Sequence, residues 1–319
     1  VTAAETQPPL VQVLGLRRYY RDVRAVDGVD FVIHASSVHG FIGPNGAGKT
    51  TTMRVLATLD APDAGDVLFE GRSLVDYPDE VRPEIGFMPD YLEAYVDVTV
   101  REYLDFYARA YRLAPERRRR RLAHVVEFTG LGDLLDRPAA RLSKGQKQRL
   151  GLGRVLVNDP RLLILDEPAA GLDPRARVEL RGLIRQLADA GKAVLFSSHI
   201  LAELAEICDS VTIIDEGQLC VSDRMSAIQQ MIDHGTRVNV VLARPTPDLR
   251  RDLVRALAQM PAVADADATQ QGAWFSYEGD RDVRARVLVR LVQDGFDVTD
   301  FHTASSDLEN AFMTLTRRA

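Results

Sequence analysis

The apolar positions of this chain change period along its length, and the changes mark out its elements. Residues 10–14 (LVQVL) and 29–33 (VDFVI) alternate or run apolar as strands do. Residues 38–42 (VHGFI) form a short apolar run that ends in a glycine-rich turn. The pattern predicts a helix from Gly48, carrying Met53, Val55, Leu56 and Leu59, then short strands at 66–69 and 85–88. From about 98 to 157 the period becomes helical. Tyr103, Phe106, Tyr107 and Ala110 recur at i, i+3, i+4 and i+7, which predicts one apolar face. Strand signals return at 162–165 (LLIL), 193–196 (AVLF) and 211–214 (VTII), with helices between them such as 175–190. Alternating strands and helices imply a largely parallel sheet covered on both faces, with the 98–157 block as a helical insertion.

A second section opens at Gly235 and Thr236. Its pattern predicts strand 237–242, helix 248–259, strands 262–268 and 273–278, helix 281–294, strand 296–301 and a last helix at 307–317. The order β-α-β-β-α-β is that of a small ferredoxin-like α+β domain. Pro245, Pro247 and Pro261 fall in its loops. The expected division is a first domain at 8–222, with its helical part at about 91–157, and an accessory domain at 223–319.

Composition narrows the class. The 319 residues are 46% hydrophobic and 27% charged, enough to bury full cores. The net charge of −6 carries no broad basic excess, so no nucleic-acid partner is expected. Cys208 and Cys220 lack metal-ligand spacing and read as ordinary reduced thiols. No apolar run is long enough to cross a bilayer. The opening residues have neither a basic start nor an apolar core, which predicts a short disordered lead and no signal peptide. The run Arg117–Arg121 reads as a solvated helix face, or more sharply as a contact for anionic headgroups beside a membrane partner.

The chemistry begins with Gly43-Pro44-Asn45-Gly46-Ala47-Gly48-Lys49-Thr50, a fit to G-x-x-x-x-G-K-[ST] between a strand and a helix, with Thr51 following. The glycines let backbone N–H groups curl around phosphate oxygens. Lys49 brings positive charge to the outer phosphates, Thr50 offers a hydroxyl to Mg²⁺, and the helix N-terminus adds partial positive charge. The run Leu162–Leu165 ends in Asp166-Glu167 at the carboxyl edge of the sheet, where α/β proteins bind ligands. Asp166 is the candidate Mg²⁺ ligand and Glu167 the candidate general base for the attacking water.

Further motifs follow in order. Leu142-Ser143-Lys144-Gly145-Gln146 resembles the ABC (ATP-binding cassette) signature LSGGQ. Leu172-Asp173 resembles the ABC D-loop, Ser197-Ser198-His199 the switch histidine, and Tyr20 the aromatic residue that stacks on adenine. Together they cover roughly residues 10–222. The resemblance implies a P-loop NTPase (RecA-like) ABC ATPase core with a helical subdomain, using ATP and Mg²⁺. It implies a head-to-tail dimer in which Ser143, Lys144, Gly145 and Gln146 of one copy meet the nucleotide held by the phosphate loop of the other. His199 would hold the γ-phosphate in its own subunit. Two departures stand out. Asp90 occupies the position where the family usually has glutamine reaching Mg²⁺ and water, and Lys144 replaces the first signature glycine.

The stretch 197–209 (SSHILAELAEICD) and the ending Asp307-Leu308-Glu309-Asn310-Ala311-Phe312 resemble the subfamily serving ABC-2 type permeases. Residues 91–107 look like the stretch that meets a permease. The expected protein is an ATP-hydrolysing subunit of an exporter, cytoplasmic and peripheral on the inner face of the cell membrane, with a separate permease and a second copy of itself as partners. The alternative is a soluble ABC ATPase acting on ribosomes, DNA or cluster assembly. One cassette, and a gap from Lys49 to Ser143 of 143 − 49 = 94 residues, too short for a long coiled coil, disfavour it.

Overall fold

The computed structural model describes residues 8–91, 97–233, 237–277 and 281–303. The chain divides into two compact units, Val1–Arg224 and Met225–Ala319.

In the first unit β1 (Val11–Tyr20) and β2 (Val23–Ile33) form a hairpin, followed by β3 (Val38–Ile42) and α1 (Lys49–Leu56). Then come β4 (Ala64–Phe69), β5 (Arg72–Ser73), α2 (Pro78–Val81) and β6 (Ile85–Met88). The helical part holds α3 (Val100–Ala110), α4 (Pro115–Thr129) and α5 (Lys144–Leu156). The chain returns through β7 (Leu162–Leu165), α6 (Pro174–Asp189), β8 (Ala193–Ser198), α7 (Leu201–Ala205), β9 (Ser210–Asp215) and β10 (Gln218–Arg224).

The main sheet has the order β10-β9-β3-β8-β7-β6, with every pair parallel except the β9–β10 hairpin at one edge. Strands β3, β7 and β8 are buried at every residue, as a sheet covered on both faces requires. Gly86 lets α5 lie on β6, since a Cβ there would stand 2.3 Å from Val155 Cγ1. A second, antiparallel sheet, β2-β1-β4-β5, was not apparent in the sequence as a separate layer. Val13, Leu16, Val26 and Phe31 of this sheet share one apolar core with Phe41, Ile164 and Leu195 of the main sheet. That core sets the β2 edge beside the carboxyl ends of β3 and β7.

Two expectations are corrected in the helices. Helix α3 starts at a capping box between Thr99 and Glu102, and it buries Val100, Tyr103, Leu104 and Ala108. Phe106 is 62% exposed and Ala110 is also exposed, so the buried stripe is rotated from the expected one. Leu59, expected within α1, follows the helix end and is 53% exposed. The arginine run divides. Arg118 pairs with Asp105 at 3.0 Å, and Arg121 donates to the Leu156 carbonyl and pairs with Asp159 at 2.7 Å. Arg117, Arg119 and Arg120 are exposed.

Within β3, His39 is buried between hydroxyls, with Nδ1 2.7 Å from Ser210 Oγ and Nε2 2.8 Å from Thr212 Oγ1. Burial, with a smaller push from His34, lowers its pKa to about 3. The unfolded chain protonates this imidazole below about 6.5, whereas the folded one does not until about 3. Its contribution to stability is therefore complete above pH 6.5 and is lost as pH falls through that window, by about 1.4 kcal/mol per pH unit. Between pH 7 and 5, the unfolding free energy of the parent is expected to fall about 2 kcal/mol more than that of His39→Gln. Denaturant titrations of both proteins at the two pH values measure this, and parallel losses would show that His39 is not the group responsible.

The second unit runs α8 (Met225–Asp233), β11 (Arg237–Leu242), α9 (Pro247–Ala258), β12 (Val263–Ala268), β13 (Gly272–Tyr277), α10 (Arg281–Gln293) and β14 (Val298–Thr303). Its antiparallel sheet has the order β12-β13-β11-β14. Alternate residues Val238, Val240 and Leu242 face Leu253, Leu257 and Leu291 in its core. Thr246 caps α9 by accepting from the Leu249 N–H at 3.2 Å. Strand β10 and helix α8 were not among the sequence expectations. The start at Gly235 and Thr236, the last helix at 307–317 and the segment Asp307–Phe312 lie outside the described residues. Among the described residues no helix is long and apolar enough to cross a membrane.

Candidate functional site

The carboxyl ends of β3, β7 and β8 lie side by side, and each carries one part of the site. After β3 the chain turns through Gly43–Gly48 into α1. Gly48 caps that helix at φ 100°, and a Cβ on it would stand 2.3 Å from the Ala25 carbonyl oxygen. Only glycine permits both the left-handed turn and this approach of β2. A Cβ on Gly43 would meet the Ile214 carbonyl oxygen at 2.5 Å. Gly46 has φ 87°, and Pro44 accepts from the N–H of buried Ala47 at 3.2 Å. Lys49, only 7% exposed, folds its ammonium back onto the Gly43 and Pro44 carbonyls at 2.7 and 3.2 Å. The result is an anion cradle: a curled loop, a helix N-terminus and a captive cation.

Opposite the loop, Asp166 is 1% exposed and accepts from Thr50 Oγ1 at 2.7 Å and Ser197 Oγ at 2.8 Å. Burial holds its carboxyl above the ordinary aspartate range, and the charges of Asp90 and Glu167 add to the effect. Glu167 has a left-handed backbone, φ 46°, and its N–H donates to Ser197 Oγ at 2.7 Å. One hydroxyl therefore holds both acidic residues. Sequence reasoning noted Ser197 only as part of the histidine motif, and the signal it overlooked was a hydroxyl at the end of a fully buried strand. Glu167 Oε2 lies 3.0 Å from His199 Nδ1, and Oε1 lies 3.5 Å from Lys49 Nζ. That Oε1 is buried and accepts no hydrogen bond.

These residues border a cleft of about 780 Å³ that also involves Asn45, Thr51, Asp90, Lys144 and Glu216. The β2 residues Val23, Arg24 and Ala25 close one side and were not anticipated. Tyr20 does not line the cleft. It is 40% exposed, its hydroxyl donates to Asp60, and the Arg18 guanidinium lies 4.6 Å from its ring centre. The signature residues divide between two surfaces. Ser143 and Gln146 cap α5 reciprocally, and with Gly145 and Asp173 they line a separate depression of about 400 Å³. Lys144 turns instead toward the first cleft, with Nζ 2.4 Å from where a Cβ on Gly171 would be.

The cleft fits MgATP. Thr50 Oγ1 and Asp166 Oδ2 are hard oxygen donors 2.7 Å apart, close to the roughly 2.9 Å between neighbouring ligands of an octahedral Mg²⁺. Asp90 adds a carboxylate to the same lining, and Lys49 with the turn offers donors that suit phosphate oxygens.

The ABC transporter family matches residues 26–170. The daunorubicin/doxorubicin resistance ATP-binding protein DrrA of Streptomyces peucetius is 33% identical over 98% of this chain and 94% of its own length. The chain belongs to the ATP-binding proteins of ABC transporters. The Nod factor export ATP-binding protein I of Ralstonia nicotianae is 37% identical over 66% of this chain and 65% of its own. A solved ATP-binding subunit of an ABC transporter superposes with a TM-score of 0.63 at 31% identity, over 70% of this chain and 92% of that one. As an ABC ATPase the protein binds and hydrolyses ATP to power transport, and the soluble alternative is not favoured.

Proposed function

We propose that two copies of this chain close head to tail over two ATP molecules at the cytoplasmic face of a membrane and drive an ABC-2 type permease that exports drugs, lipids or glycans. The observation that carries the dimer is the division of the signature motif. Ser143, Gly145 and Gln146 line a depression separate from the cleft of their own phosphate loop, which supports a nucleotide that meets the loop of one copy and the signature of the other. Export follows from the relatives. Likeness to DrrA runs nearly end to end, second unit included, which supports an accessory ferredoxin-like domain at about 223–319 common to such exporters.

Within each site Lys49 exchanges its carbonyl partners for phosphate oxygens. Glu167, steered by His199 and anchored by Ser197, takes a proton from the attacking water. His199 is placed to hold the γ-phosphate beside it. Thr50 and Asp166 would hold Mg²⁺, which would supply positive charge to the phosphates. Ser143 and Gly145 of the facing subunit donate to the γ-phosphate. Asp90 adds negative charge to this cleft and Lys144 positive charge, so the two departures from the family pattern offset one another.

Tagged Glu167→Gln protein, recovered with MgATP from detergent-solubilised native membranes, is expected to bring down an abundant multi-span membrane protein. Ribosomal proteins or DNA-repair factors without a membrane protein would overturn the transporter assignment.

A further inference from the structure

Between the Leu172–Asp173 turn and the His199 turn runs a partly buried chain of polar contacts. Arg177, in the first turns of α6, donates through Nη2 to the Leu172 carbonyl at 3.3 Å. Its Nη1 lies 3.0 Å from Glu203 Oε1. The other carboxylate oxygen of Glu203 accepts from Ser198 Oγ at 3.0 Å, and Ser198 Oγ in turn accepts from the Ile200 N–H at 3.0 Å. His199 sits between those last two residues, 3.0 Å from the Glu167 carboxylate.

The arrangement is a poor way to gain stability. Glu203 is 7% exposed, and Arg177 Nε is buried with no hydrogen-bond partner. With Glu203 buried and the Arg177 side chain still 31% exposed, such a pair gains little over apolar packing, but it fixes direction. The direction here is specific. One end holds the turn whose Asp173 lines the Ser143 depression, and the other holds the turn that presents His199 to the ATP cleft. The link therefore spans the two surfaces of one subunit that would meet two different nucleotides.

We propose that Arg177 and Glu203 are positioning residues that make the Leu172–Asp173 turn and the His199 turn move as one body, so that His199 reaches Glu167 only when both turns are set. The inference rests on the roles of His199 and Glu167 proposed above.

The test compares Arg177→Met, Glu203→Gln, their double variant and Arg177→Lys in the full chain. Steady-state phosphate release gives kcat, and equilibrium dialysis with labelled MgATP gives Kd. Each of the first two single variants is expected to lose about tenfold or more in kcat, with Kd within about threefold of the parent. The double variant should be no worse than the weaker single, because the two side chains act as a unit. Arg177→Lys keeps a cation opposite Glu203 and should recover part of the loss. Amide hydrogen exchange at 171–173 and 198–201 should rise together in Glu203→Gln. A lowered Tm with kcat within about twofold of the parent in both singles overturns the proposal, as does a double variant whose losses add. His199→Ala, run alongside, separates the failures. If it abolishes turnover while the Arg177 and Glu203 variants do not, the link alone is wrong. If it is itself silent, the role of His199 is wrong and the link falls with it.

Discussion

Glu167→Gln is expected to bind MgATP as the parent does and to lose ATP turnover by about a hundredfold or more. The substitution preserves size and keeps an oxygen or amide group within reach of His199 Nδ1, now 3.0 Å from the carboxylate. What it removes is the carboxylate proposed to take a proton from the attacking water. Binding should survive because the cradle itself, Gly43–Thr50 with Lys49 folded inside, is untouched. Phosphate release and equilibrium nucleotide binding on the same preparation check the two halves of this expectation. Turnover near the parental rate would move the base elsewhere, and lost binding would show that Glu167 mainly holds the cradle in shape.

Ser143→Asp should separate binding from assembly. Aspartate caps a helix about as well as serine, so α5 keeps its N-terminus. The same carboxylate, on the depression that faces the partner's γ-phosphate in the proposed dimer, would repel that phosphate. The expected result is ATP affinity within about threefold of the parent, with turnover down by about a hundredfold or more. In the Glu167→Gln background, MgATP should convert the 35.4 kDa chain to a species of twice that mass by sedimentation, and adding Ser143→Asp should abolish the conversion. A Ser143→Asp protein that still dimerises and turns over ATP would place the signature outside the reaction.

The parts of the site that share a strand end were legible in the sequence, because an apolar run followed by glycines or acids marks both a buried strand and what it carries. Gly43–Thr50 after β3 and Asp166-Glu167 after β7 are of this kind, and the parallel sheet brings them together. Contacts across the fold were less legible. Nothing local to Val23–Ala25 announces that β2 walls the cleft, because that depends on a second sheet sharing its core with the first. Periodicity alone misassigned the face of α3. Phe106 and Ala110 keep the helical spacing from Tyr103, but burial is decided by how the helix packs in the fold, and it buries Leu104 and Ala108 instead. Tyr20 matched its motif by position, yet in the structure its hydroxyl is bonded to Asp60 on a different turn, a contact that spacing cannot reveal. In the second unit the strand expected at 237–242 is present, with Val238, Val240 and Leu242 alternating into the core.

Glu167 has φ 46°, a conformation that costs a non-glycine residue roughly 1–2 kcal/mol. Glycine or asparagine would sit there more comfortably, so the residue proposed for the reaction is not the one best suited to the backbone. A laboratory selection that rewards survival of heating alone, without asking for turnover, should therefore drift toward glycine or asparagine at position 167. Thermal robustness and work output are set against each other at this single position.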